Sequence, residues 1–275
     1  MPGAQELLES MFIKFNEFAD LNETFLEVYP SNNNLRNITL AGQTPDGEDA
    51  CNELTHVWLD AIPIWKGWTP FVNFRVHQGI DRETLVHCCQ ALVEHGSQPN
   101  FISDKAVIQA HTAGGASLEE ARDYAMYGCA ESVVSGKATG IGTGVWPNYG
   151  LCNWFELALN DGVDPRTGVQ IGPKCGDLTT FESIEEVKAA FERQVNFFAE
   201  IVVTASNVVI PVRAQLNHTP FLSVFIDHRI DLCKDVTAGG PPNYNHSQVM
   251  QGHGLIDIAD SMAALDVVVF QEKLV

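Results

Sequence analysis

Basic residues are scarce in this sequence: 16 Lys and Arg stand against 35 Asp and Glu, a formal net charge of -19. A surface so acidic repels phosphate backbones and anionic headgroups, which argues against a nucleic-acid partner and against a membrane-surface role. Long apolar runs are lacking too. The stretch IVVTASNVVIPV (201–212) is interrupted by Thr204, Ser206, Asn207 and Pro211, short of the roughly 20 residues that span a bilayer. The opening MPGAQELLES carries Glu6 and Glu9 with no basic segment, and does not read as a secretory leader. The 7 cysteines lack paired spacing, so they read as free thiols of a reducing cytoplasm rather than as a disulfide framework. No His-Glu-x-x-His and no Cys-x-x-Cys occurs, and the 9 histidines show no regular ligand spacing, so no metal site is expected.

What is present is an ordinary globular composition, 45% hydrophobic and 19% charged over 275 residues, enough to bury a sizeable core. The apolar spacing predicts a helix over 5–19, a second over 51–62 ending at Pro63, and further helices over 81–95 and 104–112. FVNFRVH (71–77) alternates, with Val72, Phe74 and Val76 on one face and Asn73, Arg75 and His77 on the other, which predicts a strand. Ser117-Leu-Glu-Glu120 is a capping box, and the helix it opens is expected to run through YAMY and stop at Gly128. Ser183 opens another capped helix with a long apolar stripe, and GLIDIADSMAALDVVVF is helical in spacing. Helices separating short strands give an α/β class that is rich in helix.

The candidate chemistry centres on Gly128-Cys129-Ala130-Glu131. A cysteine between a glycine and a small residue can be presented at a loop tip, and a glutamate two positions on can exchange a proton with whatever the sulfur attacks. On pattern alone a packed thiol with a solvated glutamate explains the same residues. Cys88-Cys89, Cys51, Cys152, Cys175 and Cys233 read as core packing. SGKATGIGTGVWPNYG (135–150) is glycine-rich but lacks the ending of a phosphate loop and has no strand leading into it. GGPPNYNHSQVMQGHG (239–254), with Tyr244, Asn245, His246 and Ser247, reads as a structured loop.

Several segments, in order along the chain, resemble the glycyl radical enzymes of the pyruvate formate-lyase-like superfamily. SLEEARDYAMYGCAE (117–131) resembles the segment with the thiyl-radical cysteine, where members commonly read Gly-Cys-Val-Glu-Pro. AGQTPDGEDACNEL (41–54), Arg75-Val76-His77, FELALNDGVDPRTGVQIGPKCGD (155–177) and the block 219–270 with its Tyr-Asn loop are similar to further family segments.

The resemblance implies part of a ten-stranded α/β barrel, with residues 1–275 forming a partial barrel domain and the cysteine loop near 128–132. It implies that Cys129 becomes a thiyl radical, with Glu131 as the nearby base, cleaving a C–C, C–O or C–N bond of a small organic substrate as a decarboxylase or dehydratase does. The radical would come from a glycyl domain whose Arg-Val-Ser-Gly-Tyr motif does not occur here. An adenosylmethionine-dependent iron–sulfur activase would install it, and the full-length form would be a cytoplasmic homodimer. No cofactor is expected to be bound by these residues themselves. The chain thus reads as a middle piece, inactive alone, with unpaired edges that favour marginal stability or self-association.

Three departures refine the expectation. Ser132 replaces the proline after the glutamate. Cys129 has no adjacent cysteine, against the acyl transfer of formate acetyltransferases. Gly142 and Thr143 stand where diol dehydratases carry His-Asp, and with Trp146 and Tyr149 nearby, a less polar substrate is expected to contact Thr143, Trp146 and Tyr149. The alternatives are formate acetyltransferase-type acyl transfer, a non-catalytic module, and a thiol hydrolase pairing Cys129 with His77 or His246.

Overall fold

The computed structural model describes residues 2–16, 36–67, 69–128, 131–138, 148–239 and 251–274. The chain forms two compact units, Met1–Gly140 with Pro220–Asn245, and Ile141–Thr219 with His246–Val275.

The first unit begins with helix α1 (Pro2–Asn16) and continues as a β–α–β–α–β succession. Strand β1 (Asn37–Ala41) leads to α2 (Glu53–Trp65), β2 (Phe71–Val76), α3 (Arg82–His95) and β3 (Asn100–Ser103). The three strands form a parallel sheet in the order β1-β2-β3, each crossover supplied by a helix. Alternation along the strands gives the sheet two unlike faces. Leu40, Val72 and Phe74 pack with Phe12 of α1, with Trp58, Leu59 and Ile62 of α2 and with Cys88 of α3 in one apolar core. The opposite face carries Asn37, Thr39, Asn73 and Arg75.

One local expectation needs correction here, and one burial pattern goes beyond it. Pro63 does not end α2, which runs on to Trp65 before Lys66 turns left-handed at φ 47°. Pro63 forfeits one N–H bond in the last turn, and α2 continues only two residues beyond it. The polar face of β2 is not solvated: Asn73 and Arg75 are as buried as Val72 and Phe74, because β2 is the central strand of a sheet covered on both faces.

Helices α4 (Asp104–Ala113) and α5 (Leu118–Arg122) follow. The capping box is present, with Ser117 Oγ accepting from Glu120 N at 3.1 Å and Glu120 Oε2 accepting from Ser117 N at 3.0 Å. The helix it opens stops after one turn. Tyr124–Tyr127 is a strand, β4, paired antiparallel with β5 (Glu131–Val134) in a hairpin. The expected helix up to Gly128 is therefore wrong. Tyr124, Met126 and Val134 bury themselves against Ile108 of α4 and Ala121 of α5, a period of two that local spacing left ambiguous. The short helix α8 (Pro220–Ser223) belongs to this unit.

The second unit holds β6 (Asn148–Gly150), paired in parallel with β7 (Gln251–His253), together with α6 (Leu151–Leu159), α7 (Ile184–Leu216) and α9 (Leu255–Leu265). A π-helical turn, Asp266–Gln271, extends α9. Phe155, Ile184, Val187 and Ile258 form its core. Helix α7 corrects the reading of its apolar stretch. It runs unbroken for 33 residues through Pro211, and Thr204 Oγ1 donates to Glu200 O at 2.8 Å, so the polar residue joins the helix rather than ending it. By length and composition it could cross a membrane, with mean hydropathy 1.7 over an 18-residue window of which 6% is buried.

The cysteines also differ from expectation. Cys88 is in the core, where burial pushes its thiol up to about 12, but its neighbour Cys89 is exposed, as are Cys152 and Cys233. Consecutive helical positions face different directions, so Cys88 and Cys89 could not share one environment.

Candidate active site

The hairpin lies across the polar face of the β1–β2 sheet, and that face reads its backbone residue by residue. Asn37 Nδ2 donates to Gly128 O at 2.8 Å. Thr39 Oγ1 accepts from Met126 N at 2.9 Å. Arg75 Nη1 donates to Tyr124 O at 3.1 Å, and its Nη2 donates to Arg122 O at 2.8 Å. Backbone groups of β4 that face the sheet are thus met by side chains on alternate positions of β1 and β2, and the strand needs no second backbone neighbour on that side.

Arg75 is itself locked. It is 5% exposed, makes two bonds to the Asp104 carboxylate at 2.8 and 3.1 Å, and stacks over the Tyr124 ring at 3.9 Å. Tyr124 Oη donates to Asp104 Oδ1 at 2.7 Å. Burial pushes the Tyr124 phenol up, and the Asp104 carboxylate adds to it, so the phenol keeps its proton. A buried Arg–Asp pair with two further guanidinium donors on carbonyls avoids much of the penalty that an incompletely paired buried ion carries.

At the tip, Gly128 has φ +60°, a left-handed conformation that glycine adopts without penalty. A Cβ there would run into Glu131 Oε2. The Glu131 carboxylate is therefore folded back over Gly128, the residue preceding Cys129 in the chain. Glu131 is 6% exposed and pairs with Tyr127 in the hairpin register. Burial raises the Tyr127 phenol and the negative charge of Glu131 raises it further, leaving Tyr127 a hydrogen-bond donor beside that carboxylate.

Of the residues singled out from the sequence, Glu131 is brought into this buried position. Cys129, Thr143, Trp146 and His246 lie outside the described residues, and so does the side chain of Tyr149, whose backbone forms part of β6. His77 is a poor partner for a thiol hydrolase. Its Nδ1 accepts from Gly79 N at 3.1 Å, which fixes the proton on Nε2, donated to Asp49 Oδ1 at 3.1 Å. With both nitrogens engaged, no lone pair is left to take a thiol proton. Among the described residues no group of three His, Cys, Asp or Glu is placed to hold a metal ion. Sequence reasoning missed Asn37, Thr39 and Asp104, whose partners lie 20 to 91 positions away.

The family model described as "Pyruvate formate lyase-like" matches residues 2–275. The chain belongs to that family. It is 31% identical over 272 residues to the trans-4-hydroxy-L-proline dehydratase of Clostridioides difficile, covering 98% of this chain and 34% of the relative. The crystal structure of that dehydratase, with its substrate bound, superposes with a TM-score of 0.82 over 98% of this chain and 34% of the other. The glycerol-bound B12-independent glycerol dehydratase of Clostridium butyricum gives 0.80 at 29% identity, with the same coverage. A glycyl radical enzyme from Archaeoglobus fulgidus gives 0.79 at 26% identity, again over 98% and 34%. The fold is thus that of the pyruvate formate-lyase-like α/β barrel enzymes, and the chain spans about a third of the length of these family members.

Proposed function

We propose that this chain is the thiyl-bearing core of a glycyl radical lyase of the dehydratase type. The observation that carries the reading is the glycine-tipped hairpin, with a buried carboxylate folded over the residue that precedes a cysteine. The hairpin fits a radical relay because it holds the Glu131 carboxylate away from water on a turn that the sheet supports. A glycyl radical, supplied by a segment outside these residues and installed by an adenosylmethionine-dependent activase, would convert the Cys129 thiol to a thiyl.

Cys129 sulfur then takes a hydrogen atom from a substrate C–H bond, forming S–H and leaving a carbon radical. Glu131 accepts the proton of the hydroxyl on that carbon and passes it to the neighbouring hydroxyl, which leaves as water, so the carboxylate is regenerated. The product radical recovers the hydrogen atom from the Cys129 thiol, which restores the thiyl and closes the cycle. Tyr127, protonated beside Glu131, steadies the carboxylate between turnovers. Thr143, Trp146 and Tyr149 enter the proposal from sequence alone, as substrate contacts favouring a less polar molecule; a decarboxylase would use the same first step.

The substrate is a small molecule and the enzyme is cytoplasmic in this reading. The exposed side of α7 is covered by the rest of a dimeric enzyme rather than by lipid, in keeping with relatives about three times as long. The test is anaerobic activation of the enzyme containing this chain, with its glycyl segment in the same polypeptide or in trans, against a panel of hydroxylated and carboxylated small molecules. A glycyl doublet in electron paramagnetic resonance together with loss of water or CO2 is expected. A glycyl doublet with no turnover of any panel member would overturn the reading.

A further inference from the structure

The polar face under the hairpin contains a chain of amides that the reaction scheme above does not use. Asn100 Nδ2, on β3, donates to Asn73 Oδ1 at 3.4 Å. Asn73 Nδ2, on β2, donates to Asn37 Oδ1 at 2.9 Å. Asn37 Nδ2, on β1, donates to Gly128 O at 2.8 Å. The three carboxamides run head to tail across the whole parallel sheet, every link donated in the same direction, and the last ends on the carbonyl of the peptide group that joins Gly128 to Cys129. Asn73, at the middle of the run, is fully buried at 0% exposure.

Three features separate this run from ordinary satisfaction of buried polar groups. Its bonds shorten toward the hairpin, from 3.4 to 2.9 to 2.8 Å, the direction in which each amide polarises the next in a cooperative chain. It spends three amides where a single side chain on β1 would already satisfy one carbonyl. It also meets the hairpin at its tip, whereas Arg75 and Thr39 hold the strand leading up to it. Gly128 has no side chain to steady it and has a left-handed φ, so without that bond the peptide ahead of Cys129 has one fewer restraint.

We propose that Asn37, Asn73 and Asn100 form a positioning array that fixes the Gly128–Cys129 peptide group, and through it the hydrogen-transfer distance of the radical cysteine. The inference rests on the thiyl reading of Cys129. The asparagines touch neither substrate nor cysteine; they act through the hairpin tip. Their influence declines with distance from the tip, so Asn37 matters most and Asn100 least.

The experiment is a kinetic comparison of N37A, N37D, N73A and N100A in the activated enzyme, using substrate deuterated at the abstracted position. N37D keeps size and the acceptor toward Asn73 but cannot donate to Gly128 O, so it guards against a simple packing loss. For N37A and N37D, kcat falls about 10²-fold, the scale of a 1 Å misplacement at the reacting atoms. The substrate isotope effect on kcat rises as hydrogen transfer becomes limiting, while KM and glycyl radical content stay at wild-type values. N73A gives a smaller fall and N100A the smallest. If the asparagines merely support the fold, radical content and kcat fall together with no change in isotope effect, and the positioning role is overturned. Wild-type kinetics in N37D would overturn it equally. A Cys129→Ser control separates the two readings: residual turnover in that variant removes the thiyl mechanism itself, whereas a dead control beside unaffected asparagine variants removes only the array.

Discussion

On β1 and β2 the side chains of Asn37, Thr39, Asn73 and Arg75 are polar, half-buried or buried, and hydrogen-bonded. Along α7 the side chains of Ile201, Val203, Val208 and Leu216 are apolar and exposed by 49%, 49%, 62% and 80%. Each reverses the usual placement, and the reversals have different causes. The polar face is complete within these residues, because the hairpin that it grips follows in the same unit. Among the described residues the apolar face of α7 finds no such partner within its own unit, and the chain makes up about a third of its relatives' length. The chemistry of the hairpin is therefore supported locally, while the scaffold beyond it is not.

The comparison breaks most readily at its polar end. Replacing Arg75 by Leu leaves Asp104 buried without its counter-ion and strips Tyr124 O and Arg122 O of their donor. A loss of about 3–5 kcal/mol is expected in denaturant unfolding, and the R75L/D104L double variant should recover part of it. Gly128→Ala comes next, at roughly 1–2 kcal/mol for a left-handed non-glycine residue, with the clash against the Glu131 carboxylate added. Placing G128A in an E131A background should return the clash component and leave the backbone one, which a melting series can resolve.

The apolar end responds in the opposite sense. Val208→Lys in this chain should change unfolding free energy by less than about 0.5 kcal/mol, as at other exposed positions. It should nonetheless reduce self-association in analytical ultracentrifugation, because it breaks the exposed stripe. A large destabilisation by V208K would mean that α7 is already covered, and the comparison would fail.

The smallest effect is the pH profile of stability. Burial holds His111 below its ordinary 6.5. Its folded pKa is depressed, so the neutral form stabilises the fold above that value, and stability declines as pH falls below it. Burial raises the Asp49 carboxyl, but the Cys51 amide and His77 outweigh it and hold Asp49 below 3.8. Asp161 is held low by the Gly176 and Cys175 amides. Their stabilisation is present above the unfolded carboxyl value and lost as pH falls through the depressed ones. Melting temperature should therefore drift down below pH 6.5 and fall more steeply below about pH 4. A His111→Phe variant should lose only the first phase.

Much of the scaffold was legible in local patterns. The alternation of Phe71–Val76, the apolar spacing over 81–95, the box at Ser117–Glu120 and the stripe after Ser183 each mark an element that the structure contains. The family was legible because its motifs fall in order along the chain. What local pattern missed has one physical source. Tyr124–Tyr127 has the composition of a helix end, and becomes a strand because Thr39, Asn37 and Arg75, 49 to 91 positions earlier, capture its backbone. Asn37, Asn73 and Asn100 are unremarkable as sequence; only the sheet register, which sets Asn73 opposite Asn100 and Thr39, brings them into line. The reach of α7 was underestimated because Thr204 returns its hydroxyl to the helix and Pro211 falls near the end.

The account stands on the hairpin tip as a radical site, and one measurement addresses it most directly. In the anaerobically activated enzyme, turnover and the glycyl signal are recorded side by side for wild type, C129S and E131Q. The account predicts that all three carry the glycyl radical, that C129S forms no product, and that E131Q turns over about 10²–10⁴-fold more slowly, the range for loss of a general base. Product formation by C129S at the wild-type rate, with the radical present, would contradict it.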